Sequence, residues 1–159
     1  MSCQDETRLN RGLKYATSFD EKLLGVGCDV EVTVDVESGE SSAIIAMRQF
    51  LRSSPVFRIS IEDLASVAAA INSAKASASL LQNMVDGAMD HQLYYSVGGA
   101  SLIVVQPKDR KARFVLAIGA FSREGDLDSL TDADVTGAVQ KVDALKEKVR
   151  AKVMASKTH

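Results

Sequence analysis

The sequence predicts an α+β fold of two tandem antiparallel β-sheet units, each closed by a C-terminal helix and both sharing one core. Three observations predict it. First, the chain repeats itself: displaced by 71 residues, Val32–Lys75 falls on Ile103–Lys146 without a gap. Identities at Val34/Val105, Ala46/Ala117, Phe50/Phe121, Arg52/Arg123, Asp63/Asp134 and Lys75/Lys146 anchor that register, with apolar residues matched between them. Second, each copy begins with strand-like runs and ends in apolar residues at helical spacing. Third, a hydroxyl residue stands at each expected helix start. A length of 159 residues fits a single domain, its pseudo-repeats covering about 12–89 and 92–156.

The elements follow in order. Leu13–Ser18 and Lys22–Gly27 read as outlying strands, with Gly25-Val26-Gly27 a bend or bulge before Cys28. Val30, Val32, Val34 and Val36 alternate with Glu31, Thr33, Asp35 and Glu37, the pattern of a half-buried strand. Ser38-Gly39-Glu40 signals a turn into a second run, Ala43–Leu51. An irregular link leads to Ser60, whose hydroxyl can accept from the free N–H groups of a helix start, with Glu62 and Asp63 favoured by the positive helix end. Leu64, Val67, Ala68, Ile71, Ala74, Ala78 and Leu81 then form one stripe of a helix running to about Ala88, with Met89-Asp90-His91 as its exit.

In the second copy, Gln92–Val97 is a strand and Gly98-Gly99 a turn. Ser101–Gln106 and Arg113–Phe121 form a hairpin joined by the charged loop Pro107–Lys111. Thr131, followed by Asp132 and Asp134, starts a helix with the stripe Val135, Ala138, Val139, Val142, Leu145 and Val149.

Composition narrows the function. Nineteen basic residues against twenty-one acidic give a net charge of −2, which disfavours a broad basic surface for duplex DNA. No apolar run reaches the roughly 18 residues of a spanning helix. Met1–Asn10 has the character of neither a secretory signal nor an organelle presequence, so the expected location is intracellular, in the cytoplasm or in a virus-infected host cell. Two cysteines, Cys3 and Cys28, make neither a disulfide framework nor a metal set. The two histidines, His91 and His159, form no metal-spaced pair, and no nucleophile elbow or phosphate loop is present. Neither enzyme activity nor a cofactor is expected.

The remaining signal is a set of aromatic and basic residues on strands. Arg48, Phe50 and Arg52 lie at alternate positions, and Phe121 with Arg123 repeats them. The second hairpin adds Lys108, Arg110, Lys111 and Arg113, and Tyr94-Tyr95 supplies two further rings, one on each face. Aromatic stacking accommodates any base while arginines follow phosphates, a combination suited to unpaired nucleic acid. Phe50 and Phe121 equally suit a core, and the charged hairpin tip equally suits simple solvation.

The second copy, from Ser101-Leu-Ile-Val-Val through Pro107-Lys-Asp-Arg-Lys-Ala-Arg113 to Phe114-Val-Leu-Ala-Ile-Gly-Ala-Phe121, resembles the strand hairpin of the transcriptional coactivator positive cofactor four. Leu130-Thr131-Asp132 resembles that family's passage from strand to helix. Two such units in one chain resemble the plan of the Whirly proteins and the kinetoplastid mitochondrial RNA-binding proteins, over about residues 12–156. The plant Whirly motif Lys-Gly-Lys-Ala-Ala-Leu has no counterpart beyond the loose echo Arg11-Gly12-Leu13-Lys14-Tyr15-Ala16, so no family residue is carried over. The resemblance implies binding of single-stranded nucleic acid on the sheets and homo-oligomers formed through the helices. The expectation is a sequence-tolerant single-stranded DNA-binding protein of replication, recombination or repair. RNA binding on the same fold, or a protein–protein scaffold, are the alternatives.

Overall fold

The computed structural model describes residues 13–48, 56–84, 91–107 and 110–156. Each half is a four-stranded antiparallel meander followed by a helix of 24 residues. The first half contains β1 (Lys14–Leu23), β2 (Val26–Asp35), β3 (Ser41–Met47), β4 (Phe57–Ser60) and α1 (Ile61–Met84). The second contains β5 (His91–Val97), β6 (Ala100–Gln106), β7 (Arg113–Ile118), β8 (Phe121–Asp126) and α2 (Ala133–Ser156), with a 3-10 turn at Leu127–Ser129. The order within each sheet is the order in the chain.

The valine alternation forms the centre of the first sheet. Val30, Val32 and Val34 are fully buried, and each contributes about 1.5–3 kcal/mol by leaving water. They face Ile45 and Ala43 across β3, while Asp29, Glu31 and Thr33 point outward. In the second sheet Leu102 and Val104 take the inner face beside Leu116 and Phe114.

The helices pack across the repeat. The second unit's α2 lies against β2 and β3 of the first sheet, whereas α1 contacts β5 and β6 of the second as well as β3 and β4. Buried residues from both sheets and both helices therefore form one cluster. Lys75 on α1 donates through Nζ to the Leu130 carbonyl at 2.7 Å, and Asn72 reaches Asp132 at 3.3 Å. Near the far end of α2, Arg150 Nε donates to the Gly39 carbonyl at 2.9 Å.

Both caps form. Ser60 Oγ accepts from the Asp63 N–H at 3.1 Å, and Thr131 Oγ1 accepts from the Ala133 N–H at 3.2 Å. The stripe residues Leu64, Val67, Ile71, Ala74, Val135, Ala138, Val142 and Val149 are buried. The Ser38–Glu40 turn also forms, with Asp35 Oδ1 accepting from the Glu37 and Ser38 N–H groups. Chiefly through the Ser38 N–H, these bonds hold the Asp35 carboxyl below its ordinary range.

Several expected boundaries are corrected. The runs at Leu13–Ser18 and Lys22–Gly27 are not two strands: β1 continues to Leu23, and the chain reverses at Leu24–Gly25, both with positive φ. Gly27 is then an ordinary β2 residue opposite Lys22, not part of a bulge. Arg113–Phe121 is not one strand. Gly119 adopts φ 57° and turns β7 into β8, a polar edge strand that carries no alternating signal beyond Phe121. His91 opens β5 opposite Gln106 rather than closing a helix. The expected end of α1 near Ala88 lies outside the described residues.

The repeat register also breaks at the fourth strand. Met47 pairs with Phe57, and its counterpart Ile118 pairs with Phe121. The positional partner of Phe121 is therefore Phe57, and Phe50, its partner in the gap-free alignment, lies outside the described residues. The first copy reaches its fourth strand after a longer connection, whereas the second inserts its extra residues between strand and helix.

Candidate functional site

The outer faces of the two sheets differ in chemistry. On the first, Asp20, Asp29, Glu31 and Asp35 stand among Lys14, Lys22, Arg48 and Arg58. Arg48 donates to both Asp20 (2.6 Å) and Asp29 (3.0 Å), and Arg58 pairs with Glu31 at 2.6 Å. The bonds to Asp29 and Asp20 raise the Arg48 pKa further, so this cation is fixed and locally neutralised. A polar hollow of about 290 Å³ opens at the far end of this sheet, lined by Lys14, Thr33, Asp35, Glu40, Ser41, Ser42 and Glu62. Its three carboxylates against one amine disfavour a phosphate.

The second outer face is apolar along its middle. Antiparallel register places Tyr94, Ile103, Val115 and Glu124 in one row across β5 to β8, since directly paired residues share a face. Tyr94 is 61% exposed and Val115 41%, the largest exposures of apolar side chains on this sheet. The adjoining row is Gln92, Val105, Arg113 and Asp126, and the row on the other side is Ser96, Ser101, Ala117 and Ser122.

The cations gather at one end of this face. Arg113 starts β7 and pairs with Asp126 at 3.0 Å, while Lys111 is 3.9 Å from Asp128, with both side chains mostly in water. Such exposed pairs contribute about 0–1 kcal/mol and exchange readily for another anion. Arg110 is exposed and makes no ion pair among the described residues. The loop carrying it is tied from beneath. Gln106, buried on the inner face, donates through Nε2 to the carbonyls of Arg110 (2.8 Å) and Pro107 (3.1 Å). The Leu127 N–H donates to the Ala112 carbonyl at 2.8 Å.

The expected binding residues therefore divide. Tyr94, Arg110, Lys111 and Arg113 lie together on or beside the outer face of the second sheet. Tyr95 points inward, opposite Leu102, and is half-buried. Phe121 is buried, with the Arg123 guanidinium 5.6 Å from its ring centre. Arg123 also pairs with Asp134 of α2 at 2.8 Å, so it bridges the β8 edge to the helix start. Arg48 lies on the other sheet, while Phe50, Arg52 and Lys108 lie outside the described residues. Ile103, Val115, Gln106 and Glu124 were not among the expected residues. The available signal was the second apolar set in β6 and β7, since Ile103 and Val115 alternate with the buried Leu102, Phe114 and Leu116.

Cys28 is buried, and desolvation pushes its thiol pKa up, which keeps it unreactive. Among the described residues no group of acids, histidines and cysteines is arranged to hold a metal, and no helix is long and apolar enough to cross a membrane. Comparison with protein-family models, with curated proteins and with solved structures finds no match.

Proposed function

We propose that the protein binds unpaired nucleic acid, single-stranded DNA in the first instance, on the outer face of the second sheet. The observation that carries this reading is the outward row of exposed Tyr94, half-buried Ile103 and exposed Val115 with Arg110, Lys111 and Arg113 at one end. A base lying on this row covers apolar surface and a tyrosine ring, contacts worth roughly 1–3 kcal/mol per base. Its phosphates extend toward the loop, where Arg110 makes no ion pair among the described residues and the ion pairs of Lys111 and Arg113 yield to a phosphate oxygen. A duplex hides its base faces and asks for a wide basic surface, which a chain of net charge −2 does not supply.

The tandem arrangement of four strands and a helix is also the layout that resembles the Whirly proteins, and it supports the same reading. A role in replication, recombination or repair, and homo-oligomers formed through the helices, belong to that proposal. Fluorescence anisotropy with labelled single-stranded DNA, RNA and duplex of equal length tests it. Two or three phosphate contacts give a shallow salt dependence, with log K falling against log salt at a slope of about −1.4 to −2.1. Binding that requires unpaired bases and is lost in Tyr94→Ala supports the proposal; equal binding to duplex overturns it.

A second reading has its own observation. Arg48, Arg58 and Arg113 are all ion-paired, and a tyrosine-centred apolar row resembles the core of a protein interface. No binding to any oligonucleotide, with a protein partner captured and released by Tyr94→Ala, favours that scaffold.

A further inference from the structure

We propose that Glu124 reads the base held on the second sheet and favours guanine; this rests on the nucleic-acid reading of that face. Glu124 completes the row begun by Tyr94, pairing directly with Val115 on the edge strand β8. It is exposed and makes no ion pair among the described residues, unlike its neighbours Asp126, paired with Arg113, and Asp134, paired with Arg123. An unpaired carboxylate beside a phosphate-bearing ligand is repulsive unless it meets hydrogen-bond donors.

The row supplies that meeting. Strands about 4.8 Å apart make the four positions span roughly 14 Å. With the sugar-side part of the base against the Tyr94 ring and the rest over Ile103 and Val115, the base's outer edge points toward Glu124. Guanine presents two parallel donors there, N1–H and the N2 amine, which a carboxylate accepts together. Thymine and uracil flank their single N3–H with two carbonyl oxygens, which repel a carboxylate. Hydrogen bonds to an ionised acceptor are stronger than neutral ones. Sequence tolerance from stacking thus coexists with a preference at one position.

The test uses labelled thymidine octamers containing one central guanine, one central inosine or neither, titrated by anisotropy into the full chain. Inosine keeps N1–H but lacks the amine. The guanine octamer is expected to bind about fivefold to tenfold tighter than the all-thymidine octamer, with inosine between them. In Glu124→Ala the three converge, and the all-thymidine octamer binds tighter because a negative charge has left the face. Equal affinities in the wild-type protein, or a guanine preference that survives Glu124→Ala, overturn the assignment to Glu124 while the binding face stands. No binding of any octamer at low salt overturns the binding reading itself, and this inference with it.

Discussion

Replacing Gly119 by alanine tests how the two halves interlock. Gly119 turns β7 into β8 with φ 57°, and a Cβ there would stand 2.6 Å from Phe57 Cδ1, 2.7 Å from its Cγ and 2.9 Å from Met47 Sδ. Both obstructing residues belong to the first sheet, so the second sheet's turn is seated against the first sheet's last two strands. The left-handed backbone alone costs an alanine about 1–2 kcal/mol, and forcing apart a packed ring adds about 1–3 kcal/mol. The expected loss is therefore about 2–5 kcal/mol.

Gly25→Ala is the matched control. Gly25 has φ 73° but nothing within 4 Å of its added Cβ, so only the backbone cost of about 1–2 kcal/mol applies. Urea unfolding followed by circular dichroism measures both variants. Phe57→Ala combined with Gly119→Ala should remove the steric part, giving a double-mutant coupling of about 1–3 kcal/mol. If Gly119→Ala costs no more than Gly25→Ala, Phe57 does not fill that turn and the described seating is wrong.

Other consequences follow from named contacts. Gln106→Leu removes both side-chain bonds to the Pro107–Arg110 loop, so oligonucleotide affinity should fall severalfold; unchanged affinity would mean that the loop does not hold the phosphates. Lys75→Met strips a charged donor from the Leu130 carbonyl between the halves, with an expected loss of about 1–3 kcal/mol in urea unfolding; an unchanged midpoint would discount that tie. In a Cys3→Ser background, Cys28 should react with a thiol reagent only on unfolding, and native reaction at neutral pH would contradict its burial. Burial raises the Cys28 pKa, so its contribution to stability is fully present below the ordinary thiol value near 9.0 and is lost as pH rises above it toward the folded value.

The parts of the fold legible in the sequence are those with strong local physics. The valines of β2 alternate because one face is dry, the Gly98-Gly99 turn requires left-handed backbone, and Ser60 and Thr131 mark helix starts by what their hydroxyls can accept. The strands that were missed, β4 and β8, are short edge strands. Arg58 and Ser60 in one, and Ser122 through Asp126 in the other, present polar surface that reads equally well as loop. The gap-free alignment of Phe50 with Phe121 concealed that Phe57 occupies the corresponding place in the ladder.

The site was half legible for a similar reason. Tyr94 and the charged hairpin were visible as residue types, but burial pattern alone could not choose the wet face where Ile103 and Leu102 are both apolar. Nor could it show that Arg48 meets Asp20 and Asp29, because that contact joins the residue just past β3 to β1 and β2. The crossing of each helix onto the other unit's sheet is equally silent, since an apolar stripe does not name the surface it covers.

The most direct test of the binding face is an amide NMR titration of the isotopically labelled protein with a short single-stranded oligonucleotide. Chemical-shift changes are expected to concentrate at Gln92–Ser96, Ser101–Val105 and Arg110–Val115, with the first sheet's outer face unmoved. Changes centred on Arg48 and Arg58 or on the helices, or no change at saturating oligonucleotide, would contradict it.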